Sequence, residues 1–530
     1  MISQSTQYLI SRYISWYQSL QSKEGVATIH VDEVASKVAA FYEKIRGVVD
    51  WREEHLMRRA AIERILKRRL FFSEQERPEL ATSFVQELIR GGYFPNDSIP
   101  EEKIEVIQTL IRKYIFLLNN NSAPSLENLN TKLFNLLLAI AACEVEEVLD
   151  PPRRERALIE YMFDSMKEKI KLKGQNTLTE EEKNIQIYIS VQKALFKLDS
   201  SIISYHLLKQ KYPEWIKLPR NQLEEINKNI YPLLEDIQKK LNHPLGRKLY
   251  RICEKYDTPY LILGDIIAAD PLGALDKLQK PDALENLTRE FYRKRLNQLK
   301  SRIKRAAIFS TISIFATKML LAFAIEIPVD KYITGQFSYT TLGFSILLPP
   351  LLMFFLVLTT RPPNKSNLEL VIMEVMKIAY RSGQKETYEV KSFKKRGLLL
   401  TLIINIFYLA TFIIAFGFIW LALGKLHFGN LSRIIFLIFF SLICFAGVKI
   451  RERAKELTIE EGKEGFLIFL FESFFALPFI RVGKWLSGQW ARYNIIIILL
   501  TALIDMPFQL FTEFLEQWRY FLKEKKEEIH

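Results

Sequence analysis

Residues 293–326 read RKRLNQLKSRIKRAAIFSTISIFATKMLLAFAIE. The stretch opens on Arg293, Lys294, Arg295, Lys300, Arg302, Lys304 and Arg305 with no acid among them, and from Ala306 it is apolar apart from Lys318 and Glu326. An apolar run of about 18 residues or more reads as a membrane span, and basic residues collect at the cytoplasmic end of such spans. The seven-residue basic collar is therefore the strongest orientation signal in the chain, and it is expected to contact anionic lipid headgroups.

Working outward, the two sides of this junction differ in kind. The 305 residues before it are rich in charge, whereas Tyr332–Thr360 and Gly397–Gly424 carry no charged residue. The sequence predicts about six spans, at 306–326, 340–360, 397–424, 433–449, 465–481 and 493–512, with a cytoplasmic loop at 361–396. With the amino terminus inside, the inner segments hold 25 Lys and Arg against 6 in the outer ones. The positive-inside rule then places both termini in the cytoplasm. The last two spans are short and interrupted, by Glu472 and Pro478 in one and by Asp505 and Pro507 in the other. Because the tail carries Lys523, Lys525 and Lys526, either both cross or they form a re-entrant pair.

The 530 residues carry a net charge of +14. In a soluble protein that excess would suggest nucleic acid; beside clear spans it is explained by the membrane, and nucleic acid is not an expected partner. Three scattered cysteines give no disulfide framework.

Residues 1–305 read as helices with short breaks, divided at the polar run 119–125 into a lobe of residues 1–120 and a second lobe of residues 121–305. Val31, Val34, Val38, Phe41, Ile45 and Val48 share a helical stripe. Asp150-Pro151-Pro152 marks a helix start, and Thr179 with Glu182 forms a capping box. Further breaks fall at Asn242-His243-Pro244, Asp257-Thr258-Pro259 and Asp270-Pro271-Leu272-Gly273. In the loop, Leu368, Val371, Ile372, Val375, Met376 and Ala379 form one amphipathic face, expected to dock on protein rather than to lie on lipid. The fold class is all-α: a helical cytoplasmic domain, then a polytopic membrane domain (306–530).

The charged half carries no phosphate-binding loop, zinc-ligand spacing or nucleophile elbow, so no catalytic residue, metal or cofactor is assigned. Its basic cluster Arg52, Arg58, Arg59, Arg64, Lys67, Arg68 and Arg69 reads first as a solvated face with Glu53, Glu54 and Glu63 as partners.

Ionisable residues within spans are functional candidates by default: Lys318, Glu326, Glu472, Arg481 and Asp505. Lys318 and Glu472, each midway along its span, are expected to pair. Pro349 and Pro350, with Pro478 and Pro507, are expected helix breaks, since proline removes a backbone donor. Tyr332, Tyr339, Trp420, Trp485, Trp490, Tyr493 and Trp518 fall near span ends, where amphipathic rings anchor.

These features support a membrane-embedded scaffold or assembly factor whose residues 1–300 bind a cytoplasmic protein. The alternative is an ion or small-solute transporter or channel using the intramembrane charges and broken helices. A lipid-acting enzyme is the third reading, and a homo-oligomer is compatible with any of them. The simplest location is a bacterial plasma membrane.

Overall fold

A computed structural model describes residues 2–21, 26–34, 36–40, 54–72, 80–119, 127–173, 178–333, 335, 338–360, 363–380, 387–391, 397–459, 475–492, 511, 514–515, 517–519 and 521–522. Helix makes up 83% and strand 2%, so the all-α expectation is met. The chain forms two compact units: one of Gln7–Glu254, Lys385–Ser392 and Ile496–His530, and a second of Met1–Thr6, Lys255–Gln384 and Phe393–Ile495.

The first unit contains α1 (Gln4–Ser19, from Gln7 on), α2 (Glu54–Phe72), α3 (Leu80–Arg90), α4 (Glu102–Asn119), α5 (Glu127–Leu149), α6 (Arg153–Lys169), α7 (Glu180–Phe196), α8 (Ser200–Lys211), α9 (Arg220–Lys228), α10 (Ile230–Leu241) and α11 (Gly246–Lys255). α5 is its axis. From Leu137 to Val145 every residue is buried, because this stretch is apolar apart from Glu144 and packs against α2, α4 and α8. One hydrophobic core runs from Ile29 through Leu110 and Leu138 to Leu241. It joins residues on both sides of the expected division at 120/121, and the chain from Lys255 to 305 belongs to the other unit. The lobes predicted from the polar run 119–125 thus differ from the observed grouping, because α4 packs on α5 across that run.

Local signals explain several boundaries. Thr179 and Glu182 form the reciprocal capping box that starts α7. Asp199 accepts from the Ser201 and Ile202 amides to start α8. Pro152 is the N-cap of α6 without a side-chain bond, so the prolines there precede the first turn instead of occupying it. Of the Val31–Val48 stripe, residues 41–50 lie outside the described residues. The unit also holds two short parallel strands, β1 (Ile170–Lys173) and β2 (Tyr388–Lys391), in the register Ile170 to Tyr388.

The second unit holds α12 (Asp257–Ala269), α13 (Ala274–Leu278), α14 (Pro281–Leu321), α15 (Tyr339–Leu358), α16 (Lys365–Tyr380), α17 (Leu398–Lys425), α18 (Asn430–Ala454) and α19 (Leu477–Arg492). Four helices are long and apolar enough to cross a membrane: Pro281–Ile333, Tyr339–Leu358, Leu399–Lys425 and Asn430–Ala454. They coincide with the first four predicted spans, but the first differs in extent. α14 continues through π turns at Ala322–Glu326 and Val329–Ile333, so the basic collar and the span are one rod and the helix runs past the expected end at 326. Large apolar side chains are exposed along these helices, Leu399, Ile403, Leu409, Ile413 and Leu421 on α17 among them. An apolar surround satisfies such a surface where water would not.

The predicted span 465–481 lies mostly, and 493–512 almost wholly, outside the described residues. The outer loop predicted at 481–492 is instead the body of α19, which packs along α18. Two glycines permit close approach. A Cβ at Gly483 would collide with the Ser441 carbonyl, and one at Gly447 with Leu356 of α15. The amphipathic loop helix α16 docks on α12 and α14, with Val371, Val375 and Ala379 fully buried. Buried Asn367 fixes its start by donating to the Leu457 carbonyl at 2.6 Å and bonding to the Tyr292 hydroxyl at 2.9 Å, while accepting from the Ile459 amide at 2.8 Å.

Candidate functional site: a buried ion pair

The predicted intramembrane charges resolve into a set of helix-to-helix contacts. Lys318 and Glu326 are both fully buried. The Lys318 ammonium donates to Glu326 Oε1, and Glu326 Oε2 accepts from Ser345 Oγ of α15 at 3.1 Å. The Lys318 Nζ also stands 5.8 Å from the Phe439 ring centroid of α18. Among the described residues the partner of Lys318 is Glu326; Glu472, the partner expected from the sequence, lies outside the described residues.

In a regular α-helix residues 318 and 326 would stand about 12 Å apart along the axis. The π turn at Ala322–Glu326 takes more residues per unit of axial length, because its bonds run i to i+5. That compression and two long side chains close the gap. Composition and spacing give no cue to a π turn, so residue counting pointed to a partner on another helix.

A second contact lies farther along the same rod. Asp330 Oδ2 accepts from Ser432 Oγ at 3.4 Å, beside Gly429, the N-cap of α18. A carboxylate suits this place because the unpaired amides of a helix N-terminus carry partial positive charge. Arg433 donates to the Phe428 carbonyl at 2.8 Å, and its guanidinium lies 5.3 Å from the Trp420 ring. Arg481, on α19, stacks 4.3 Å from the Tyr408 ring of α17. Asp505 and Pro507 lie outside the described residues.

The proline expectations need correction. α15 continues through Pro349 and Pro350, which are buried inside it. The missing donors would have met the carbonyls of Ser345 and Ile346, one turn earlier, and packing against α14 and α18 holds the helix there. Pro478 is the second residue of α19, which follows π-helical residues 475–476 and continues to Arg492. Within the collar, Arg295 is bound bidentately by Asp265 at 2.5 and 2.9 Å. Arg293, Lys294, Lys300, Arg302, Lys304 and Arg305 are exposed.

In the first unit the polar groups also face inward. Lys113, buried between α4 and α5, donates to Glu144 Oε1 at 2.6 Å and to the Trp215 carbonyl at 2.7 Å. Glu144 Oε2 accepts from the Tyr114 hydroxyl at 2.7 Å and the Trp215 indole at 3.0 Å. Burial pushes the Lys113 ammonium below its ordinary range, against the pull of Glu144. Among the described residues of the basic cluster on α2, the arginines are partly or fully buried and Lys67 is exposed. Arg58 reaches Glu146 and Asp150, Arg59 reaches Asp199 and Glu63, and Arg68 and Arg69 both reach Glu87. Burial raises the Glu87 carboxyl, and the two guanidiniums outweigh it and hold the group below its usual range. Of the expected i,i+4 partners, Glu63 takes part through Arg59. Arg52 and Glu53 lie outside the described residues, and the other carboxylates come from distant helices that sequence spacing does not reveal.

Ser345, Asp330, Ser432 and Phe439 went unread in the sequence. Ser345 and Ser432 are unremarkable hydroxyls in apolar runs, and Asp330 fell in a segment expected to be a loop. No known protein family, curated protein or solved structure matches the chain.

Proposed function

We propose that this chain is a membrane-embedded scaffold or assembly factor. It anchors a helical cytoplasmic domain to a bilayer with anionic headgroups and presents residues 1–300 to a cytoplasmic protein. A bacterial plasma membrane, with both termini inside, is the location we assign. The observation that carries this reading is the use of the intramembrane charges. Lys318, Glu326, Asp330, Arg433 and Arg481 each contact a group on the same or a neighbouring helix, as structural fasteners do. The test is purification of the tagged full chain from its native membrane in mild detergent, with mass spectrometry of what accompanies it. A stoichiometric partner, kept when Lys318→Met and Glu326→Leu are combined, supports the scaffold. A chain that comes through alone counts against it.

Transport is the second reading, favoured by the π turn beside a buried ion pair, since π turns are frequent at functional sites. It predicts proton or cation flux in liposomes that Glu326→Gln abolishes while the protein still folds. Flux that is absent from the wild-type chain removes it.

A further inference from the structure

α14 and α18 run antiparallel. Asp330 meets Ser432, Lys318 stands beside Phe439, and Ile303 packs into the cluster that holds Ile443 and Ile450. Carried one step further, this register brings the last turn of α18, with Arg451 and Arg453, to the level of residues 302–305 on α14. The C-terminal end of α18 carries partial negative charge, which favours cations at that level. Its one nearby acid in the last turn, Glu452, is engaged by Lys449 at 2.9 Å.

On α14 itself, Arg302, Arg305, Phe309 and Ile312 fall on one helical stripe by their spacing of three and four, turned away from the face that buries Ile303 and Ile314. All four are exposed, and among the described residues no carboxylate pairs with either arginine. An i,i+3 arginine pair at the foot of a lipid-wide apolar strip matches one molecule in both charge and shape. Guanidiniums bind phosphate oxygens, and the strip suits an acyl chain.

We propose that this stripe binds an anionic phospholipid, with its phosphate on Arg302 and Arg305 and an acyl chain along Phe309 and Ile312. The inference rests on the reading of the chain as a membrane protein. It narrows the predicted seven-residue collar to two residues, since Arg295 is held by Asp265, Arg293 and Lys294 lie more than two turns earlier, and Lys300 and Lys304, though exposed, fall off this stripe by their spacing.

Native mass spectrometry of the full chain in mild detergent tests it, titrating phosphatidylglycerol against phosphatidylcholine with the same acyl chains. The wild type should retain phosphatidylglycerol preferentially. Arg302→Gln with Arg305→Gln should weaken that binding roughly 25-fold, at about fivefold per charge. Arg293→Gln with Lys294→Gln should leave it unchanged, and Arg302→Lys with Arg305→Lys should retain most of it, which guards against a merely misfolded Gln variant. The proposal is overturned if the double Gln variant binds like wild type, if the control pair loses as much, or if millimolar inorganic phosphate displaces the lipid signal. A chain that carbonate washing strips from its native membrane would fail the membrane reading itself, separately from the site.

Discussion

Removing one member of the Lys318–Glu326 pair should harm the protein more than removing both. Glu326→Leu strands the buried ammonium against the Phe439 ring. Lys318→Met leaves the carboxylate, among the described residues, with the Ser345 hydroxyl. Breaking a buried pair in this way costs about 3–5 kcal/mol. Replacing both groups with apolar side chains of similar volume is often neutral or stabilising by about 1–4 kcal/mol, because two desolvation penalties disappear with the attraction. Ser345 then loses its acceptor but can turn to the carbonyl one turn before it. The assay is thermal unfolding in mild detergent with a thiol-reactive fluorogenic dye. A background of Cys143→Ala and Cys253→Ala leaves Cys444 of α18 as the reporter of the span unit. Each single variant should lower the midpoint by roughly 10 °C, at about 2–4 °C per kcal/mol, and the double variant should return most of it. Singles tolerated within about 1 kcal/mol, below the range for a broken buried pair, would refute the reasoning. A double variant no more stable than the worse single would do the same.

Three further outcomes follow from the packing. Gly483→Val should push α19 off α18, costing at least the roughly 1–3 kcal/mol of an overpacked core. Gly488→Ala, which meets nothing within 4 Å, should be neutral in the same melt, and equal effects would contradict the close approach. Asn367→Leu should cost about 2–3 kcal/mol, from the partners it leaves unsatisfied, and should expose the α16 segment to protease; unchanged cleavage would mean that the α12–α14 face alone holds the helix. In the first unit, burial, then the nearby Arg156, pushes His206 from 6.5 down to about 4. The unfolded chain therefore takes up a proton that the folded ring refuses. The stability tied to this group is complete above about pH 6.5 and is lost as pH falls toward 4, on the order of 3 kcal/mol over the window. His206→Gln should flatten that part of a pH-dependent melt, and an unaltered acid limb would show that other groups set it.

The sequence alone determined the all-α class and the four long apolar helices, and the reason is that these are local properties. Apolar runs long enough to span a bilayer appear as runs, so the four helices long and apolar enough to cross a membrane were found to within a few residues at most ends. Thr179 and Glu182 declare their capping box by spacing alone, and the α16 stripe declares its buried face by period. The tertiary structure decided which side chains meet. Residues 318 and 326 are too far apart on a regular helix to be read as a pair, and the π turn with two long side chains joins them. Ser345, Phe439 and Ser432 come to the site from helices whose rotation and register have no signature in one chain. The close approach at Gly483 has no signature until α18 is laid against it, and the arginines of α2 look solvated until Glu87, Glu146 and Asp199 arrive from elsewhere. Patterns of period and length come from each segment's own need to bury or expose its faces, whereas partners come from packing between segments, where one turn of rotation exchanges one neighbour for another.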